Sequence, residues 1–320
     1  MDKKLYRRGK IARVWYNFME VVAYALTWRP TPDDILYERH VPYGEEKSQY
    51  YNYFCRKDIL CEKKPLMIYV HGGGFISGVT DMRNTYCKNF ASEGYATASL
   101  SYTVAPDKVY PAPIQEICTA IDVLFDQAEE KKIDTKRILL CAESAGSYYI
   151  FMLAALASDP TLAQKLGIRF RHAADFHPAA MISHSGCVDL RRLLDPQYPQ
   201  SRYPDIKMMT CSFLGKPYDE ARAYLETEEG ALSCPTITAD FPPTFFATGC
   251  ADPLRFESSD MIKEYEKLGV RYGSYEGTGA LKAHAWTIVT VLKKGKECLR
   301  RSLDFVRPYL FPQSDENKEE

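Results

Sequence analysis

The sequence predicts an α/β fold: a mostly parallel central sheet with helices on both faces and a helical cap. Three observations predict it. Short apolar runs alternate with helical patterns along most of the chain, which is how a sheet covered on both faces reads. Two glycine-containing motifs, His71-Gly72-Gly73-Gly74-Phe75 and Ala142-Glu143-Ser144-Ala145-Gly146, each directly follow such a run. From about residue 188 to 238 strand signals lapse while charges and prolines rise, as expected of an insertion over one end of the sheet.

Residues 1–30 read as a helical segment closed by Arg29-Pro30. Its stretch from Ile11 to Trp28 leans apolar, but Arg13, Asn17 and Glu20 interrupt it. It therefore lacks both the unbroken core of a signal peptide and the span of a membrane helix. Read as an amphipathic helix, it aligns Val14, Met19, Val22 and Leu26 roughly along one side. That side is expected to pack on the protein; the alternative is contact with a lipid surface.

Ile35–Val41 and Gln49–Arg56 read as an antiparallel strand pair joined by the polar stretch 44–48. Leu66–Val70 is an unalternating apolar run, hence a strand covered on both faces. Tyr95–Tyr102 is another strand. After Pro111, Ile114, Ile117, Cys118, Ile121, Leu124 and Phe125 follow helical spacing. Ile138–Cys141 is a strand, and Tyr148–Ala157 is a helix that stops near Asp159-Pro160. Ala180–Ser183, Thr244–Ala247 and Arg271–Glu276 add strand signals; Leu254–Leu268 and Trp286–Tyr309 read as helices. The tail from Ser314 to Glu320 is polar and expected to fray.

With 320 residues, 46% of them hydrophobic, the chain can bury a large core in one domain. A net charge of −1 offers nothing to nucleic acid. Ten cysteines without a C-x-x-C pair or ligand-like clustering read as free, mostly buried thiols of a reducing, cytoplasmic compartment. No metal site or disulfide framework is expected.

The two motifs carry the chemistry. Ser144 falls on a tight strand-to-helix turn, where small neighbours relieve crowding and the helix N-terminus aims N–H groups outward. Glycines at 72–74 let bare backbone approach a substrate oxygen. Gly73, Gly74 and Ala145 are the candidate N–H donors of an oxyanion hole, while His71 and Gly72 position the loop. A serine hydroxyl needs a base, and the base needs an acid to orient it. Of six histidines, only His284 follows a late strand-like segment; Asp252 lies on the loop after the preceding strand. Asp252 also suits a helix N-cap before Pro253-Leu254. His172, His177 and His184 read as structural or surface residues.

At these residues the chain resembles the hormone-sensitive-lipase-like carboxylesterases, over roughly residues 35–310. The His71–Phe75 loop matches that family's signature. Tyr102-Thr103-Val104-Ala105-Pro106 with Tyr110-Pro111-Ala112, Asp134 with Arg137-Ile138, and Pro242-Pro243-Thr244 with Asp252-Pro253-Leu254-Arg255 resemble its further motifs. Ala142 and Ser147 stand where the family's elbow usually has glycine, and Trp286 where it has phenylalanine. The resemblance implies an α/β-hydrolase fold with residues 1–30 as part of the cap and 31–320 as the catalytic domain, its cap insertion at about 188–238. It implies cofactor-free hydrolysis of a small-molecule ester, with Ser144 as nucleophile, Asp252 as acid and His284 as base. An amidase, formamidase or peptidase would use the same groups. Plant gibberellin receptors resemble the family but lack the histidine, so a non-catalytic receptor is the remaining alternative. Stable membrane insertion is not expected, and a homodimer is left open.

Overall fold

In a computed structural model describing residues 2–159 and 161–311, eight strands form one sheet. They are β1 (Ile35–Pro42), β2 (Tyr50–Arg56), β3 (Lys64–Val70), β4 (Ala96–Leu100), β5 (Ile133–Glu143), β6 (Pro178–His184), β7 (Thr244–Gly249) and β8 (Tyr272–Gly277). The spatial order is β1-β2-β4-β3-β5-β6-β7-β8. β2 runs antiparallel to both neighbours, and from β4 onward all pairs are parallel. The expected tail 314–320 lies outside the described residues.

Eleven α-helices accompany the sheet among the described residues: α1 (Lys3–Thr27), α2 (Asn84–Ser92), α3 (Ala112–Asp126), α4 (Ala145–Ser158), α5 (Leu162–Lys165), α6 (Leu190–Leu194), α7 (Pro204–Leu214), α8 (Tyr218–Leu225), α9 (Glu228–Ala231), α10 (Arg255–Leu268) and α11 (Lys293–Leu310). Side-chain alternation along the central strands builds two cores. Leu66, Ile68 and Val70 of β3 join Ile138 and Leu140 of β5 in one, with α3, α4 and α10. Met67, Tyr69, Leu139 and Cys141 point the other way, toward α2 and α11. This is why β3 shows no polar alternation: every residue in it is buried. α4 is apolar all round for the same reason, since the sheet and the helices around it leave almost none of its residues exposed. Helices α6 to α9 form the excursion between β6 and β7, and α1 lies against α7.

Several boundaries differ from expectation. β5 is longer than Ile138–Cys141, because Ile133 and Asp134 pair with Lys64 and Pro65 before a register irregularity; the polar stretch Asp134–Arg137 hides this in the sequence. α2 gives no clear apolar signal, since its buried face includes Asn84 and Lys88. The helix expected over Trp286–Tyr309 starts only at Lys293. Ala285 is left-handed at φ 58° and Trp286–Ile288 is a single 3-10 turn. The Thr287 hydroxyl there is 2.9 Å from Nδ1 of the buried His184, a tertiary bond that a continuous helix would break. The apolar side of α1 carrying Val14, Met19, Val22 and Leu26 does not pack on the protein: all four are exposed. The docked face is instead Leu5, Gly9, Ala12 and Tyr16, helped by polar anchors.

Candidate active site

β5 ends at Glu143, the chain turns at Ser144, and α4 begins at Ala145. Ser144 has φ 53° and ψ −126°, a conformation rarely adopted by a residue with a side chain. The surroundings enforce it. The Ser144 N–H donates to the His184 carbonyl at 2.8 Å, and the Ser144 carbonyl accepts from Ser147 at 3.0 Å. A Cβ at Gly146 would be driven into the Val70 and His71 carbonyls, so that position tolerates glycine alone. The departures from the usual elbow are absorbed locally. Ala142 is fully buried between Val70 and Ser183. Ser147 fills space that a Cβ on Gly186 would occupy, and its hydroxyl accepts from Ser183 at 2.9 Å.

Ser144 Oγ lies 2.8 Å from His284 Nε2. On the far side of the ring, Nδ1 is 3.0 and 3.1 Å from the two carboxylate oxygens of Asp252. Asp252 is buried, whereas the His284 side chain is 37% exposed. Burial by itself would raise the Asp252 pKa. The bonds from His284, Ser185 and the Leu254 N–H outweigh it and hold the carboxyl below its ordinary value. The Leu254 bond, at 2.8 Å, is an Asx turn; the N-cap position of α10 itself is Leu254, not Asp252. Ser185 ties the two loops together, accepting from the Ala285 N–H at 3.0 Å.

Facing Ser144 is the loop after β3. Gly73 and Gly74 have φ 111° and 59°, and their N–H groups meet no protein acceptor among the described residues. Ala145, first residue of α4, leaves its N–H equally unpaired within the helix. Gly72 differs, because its N–H donates to Glu143 Oε1 at 2.9 Å. His71 is buried, stacks on Tyr102 with ring centroids 4.4 Å apart, and bonds the Gly72 carbonyl at 2.7 Å through Nδ1. Desolvation pushes its pKa down to about 4, so the ring is neutral and holds the turn. A narrow pocket of about 50 Å³ opens between Gly74, Ser144, Ala145, Met209 and Leu254.

Sequence reasoning missed the layer behind these groups. The Glu143 carboxylate is buried and accepts from the Gly72 N–H, from the Tyr69 hydroxyl and from Arg83 Nε at 2.5 Å. Arg83 in turn reaches Glu20 of α1 at 3.4 Å. Position 143, adjacent to the nucleophile candidate, was a usable signal; its partner Arg83 was not, because only the fold brings it there. His184 is buried between the Tyr86 hydroxyl (2.8 Å) and Thr287, and desolvation lowers its pKa to about 4. His172 pairs with Asp126 at 3.0 Å and His177 meets the Ala174 carbonyl at 3.1 Å, both away from Ser144. Among the described residues no group of three or more His, Cys, Asp or Glu is arranged to hold a metal ion. All ten cysteines are unpaired, and eight are buried.

The BD-FAE family profile matches residues 58–265, more than half of the chain. This chain belongs to the BD-FAE family. Within this BD-FAE member the matched stretch takes in Ser144 and Asp252 and ends before His284. The fold is also shared with solved structures. Esterase B from Lactobacillus rhamnosis superposes at a TM-score of 0.75 with 17% identity, over 95% of this chain and 96% of that one. A bacterial heroin esterase gives 0.72 and 20%, covering 95% and 93%. An esterase described as belonging to the bacterial hormone-sensitive lipase family gives 0.66 and 21%, covering 93% and 90%. At these identities the likeness establishes the α/β-hydrolase fold of this BD-FAE chain, in line with the resemblance its motifs carry.

Proposed function

We propose that the protein is a serine carboxylesterase that cleaves small to medium acyl esters through an acyl-enzyme intermediate. The observation that carries this is the bonded series Ser144 Oγ, His284 Nε2, His284 Nδ1 and Asp252, with links of 2.8, 3.0 and 3.1 Å. In the first half-reaction His284 Nε2 takes the Ser144 proton while Oγ bonds to the ester carbonyl carbon. The carbonyl oxygen becomes an anion facing the N–H groups of Gly73, Gly74 and Ala145. Each such donor contributes about 3 kcal/mol of barrier lowering. Asp252, already ionised, stabilises the imidazolium. His284 then gives its proton to the alcohol oxygen as the C–O bond breaks, leaving acyl-Ser144. Water repeats the sequence, its proton passing through His284 back to Ser144, and the carboxylic acid leaves.

The fold and three esterases that share it support the same reading. The test is hydrolysis of p-nitrophenyl esters from acetyl to long acyl by the wild type and by Ser144→Ala. Turnover is expected to fall about 10⁴-fold or more in the variant. The narrow pocket beside Ser144 favours a short-chain optimum. Turnover that survives Ser144→Ala would overturn the assignment. A folded wild type that cleaves amide but not ester analogues would move it to an amidase.

A further inference from the structure

The polar and apolar sides of α1 are arranged the opposite way from a helix that packs on a core. Polar side chains face inward. Lys10 and Arg13 pair with Asp107 at 2.8 and 2.5 Å. Arg13 also donates to the Ile76 and Val104 carbonyls at 2.8 and 3.1 Å. Tyr16 bonds Asp205 at 3.1 Å and Glu20 pairs with Arg83. Small or modest groups fill the remaining contact: Gly9 approaches Pro106 and Ser212 so closely that a Cβ there would meet both at 3.2 Å.

The outer side is apolar. Ile11, Val14, Trp15, Phe18, Val21, Val22 and Leu26 are all exposed, Val14 and Leu26 to 71% and 72%. At about 100° per residue these positions share one arc, opposite Leu5, Gly9, Ala12 and Tyr16. The same arc, extended to the N-terminal end, carries Lys3, Lys4, Arg7 and Arg8, all exposed. The only acids in α1 and its cap are Asp2, which caps the helix at the Leu5 N–H, and the inward-facing Glu20. An apolar, Trp-containing face ending in a cluster of cations suits an anionic bilayer, with aromatics at the headgroup level and cations on lipid phosphates. A second copy suits it less, because an antiparallel pairing would offer those cations no acid. No helix among the described residues is long and apolar enough to cross a membrane, so this helix would lie in the interface.

We propose that the outer face of α1 docks the protein on an anionic lipid bilayer surface. α1 rests on α7, which contributes Ile206, Met209 and Thr210 to the pocket beside Ser144. Docking would therefore bring that pocket close to the lipid. The proposal does not depend on the hydrolytic reading.

Cosedimentation of the full chain with vesicles tests it, comparing pure phosphatidylcholine with phosphatidylcholine containing phosphatidylserine. The wild type should bind the anionic vesicles about tenfold or more tightly than the neutral ones. Trp15→Glu with Phe18→Glu should lose that binding. Replacing Lys3, Lys4, Arg7 and Arg8 by Gln should weaken it about tenfold or more and remove its salt sensitivity. Both variants change exposed residues, and an unaltered melting curve checks the fold. In the unmodified protein, Trp fluorescence should shift to the blue when anionic vesicles are added. Equal, weak sedimentation with both vesicle types and no fluorescence shift would overturn the proposal. So would a concentration-dependent dimer that Phe18→Glu dissociates while vesicle binding is absent.

Discussion

The two halves of the site each rest on a buried glutamate, and the two glutamates are in opposite electrostatic states. On the Ser144 side, Glu143 has Arg83 in contact at 2.5 Å, with the Tyr69 hydroxyl and Gly72 N–H as further donors. Burial opposes ionisation, but these partners prevail and keep its pKa below the ordinary value. On the His284 side, Glu257 lies five residues beyond Asp252. It accepts from the Val188 and Asp189 N–H groups at 3.2 and 3.3 Å and from Gln200 at 2.5 Å. Among the described residues no cation is bonded to it; burial pushes its pKa up to about 7, with the charge of Arg192 opposing the rise. Equal burial thus yields a fixed charge in one half and a titrating group in the other. The partners decide which: an arginine bonded to the carboxylate, with its further donors, offsets the loss of hydration at Glu143, whereas N–H donors and the unbonded Arg192 do not at Glu257.

This difference can be broken first at Glu143. Glu143→Ala leaves Arg83 buried with only the more distant Glu20, and releases the Gly72 N–H that holds the loop of Gly73 and Gly74. The expected destabilisation is about 3–5 kcal/mol, read by denaturant unfolding, with a fall in kcat in whatever protein remains folded. Unchanged stability would mean that the pair is merely tolerated.

pH sharpens the contrast, since the two glutamates act with opposite sign. Glu257 holds its proton in the folded state while the unfolded chain has released it. Its contribution is therefore full below pH 4.5 and is lost as pH rises to about 7, a total of about 3 kcal/mol. The lowered pKa of Glu143 makes its contribution present above the ordinary carboxyl range and lost on acidification. Melting curves of Glu257→Gln should lose the decline between pH 4.5 and 7 and keep the acid limb. A decline that persists unchanged in the variant would remove Glu257 as its source.

The smallest effect is expected at the joint between the loops. Ser185→Ala removes the acceptor for the Ala285 N–H and a donor to Asp252. The His284 loop should then hold its geometry less well. A drop of about tenfold in kcat is expected, with KM nearly unchanged and the fold intact, about 1.4 kcal/mol of barrier. A change in KM alone would assign Ser185 to substrate binding instead.

The sheet was legible where strands are buried on both faces. Leu66–Val70 of β3 and the core of β5 carry no charged residue to confuse the pattern, and α3 keeps one face apolar at helical spacing. Local turn chemistry was equally legible at Gly72–Gly74 and at Ser144–Gly146, because positive φ and close backbone approach demand small residues there. Legibility failed where polar groups interrupt the apolar pattern. Asn84 and Lys88 disguise α2, and Thr287 with His184 delays α11; there the satisfying partners lie far along the chain. Asp134–Arg137, a locally bonded polar pair, disguises the start of β5.

By itself, then, the sequence singled out the candidates for nucleophile, acid, base and oxyanion donors, since residue type and order within one short motif or strand end are local properties. Only the tertiary structure decided that Glu143 and Arg83 lock the Ser144 half while no cation among the described residues is bonded to Glu257. It alone turned the polar side of α1 inward and left Val14, Trp15, Phe18 and Leu26 facing out. Those outcomes depend on which distant groups share a buried site. Desolvation and its compensation are settled between partners in space, not between neighbours in sequence.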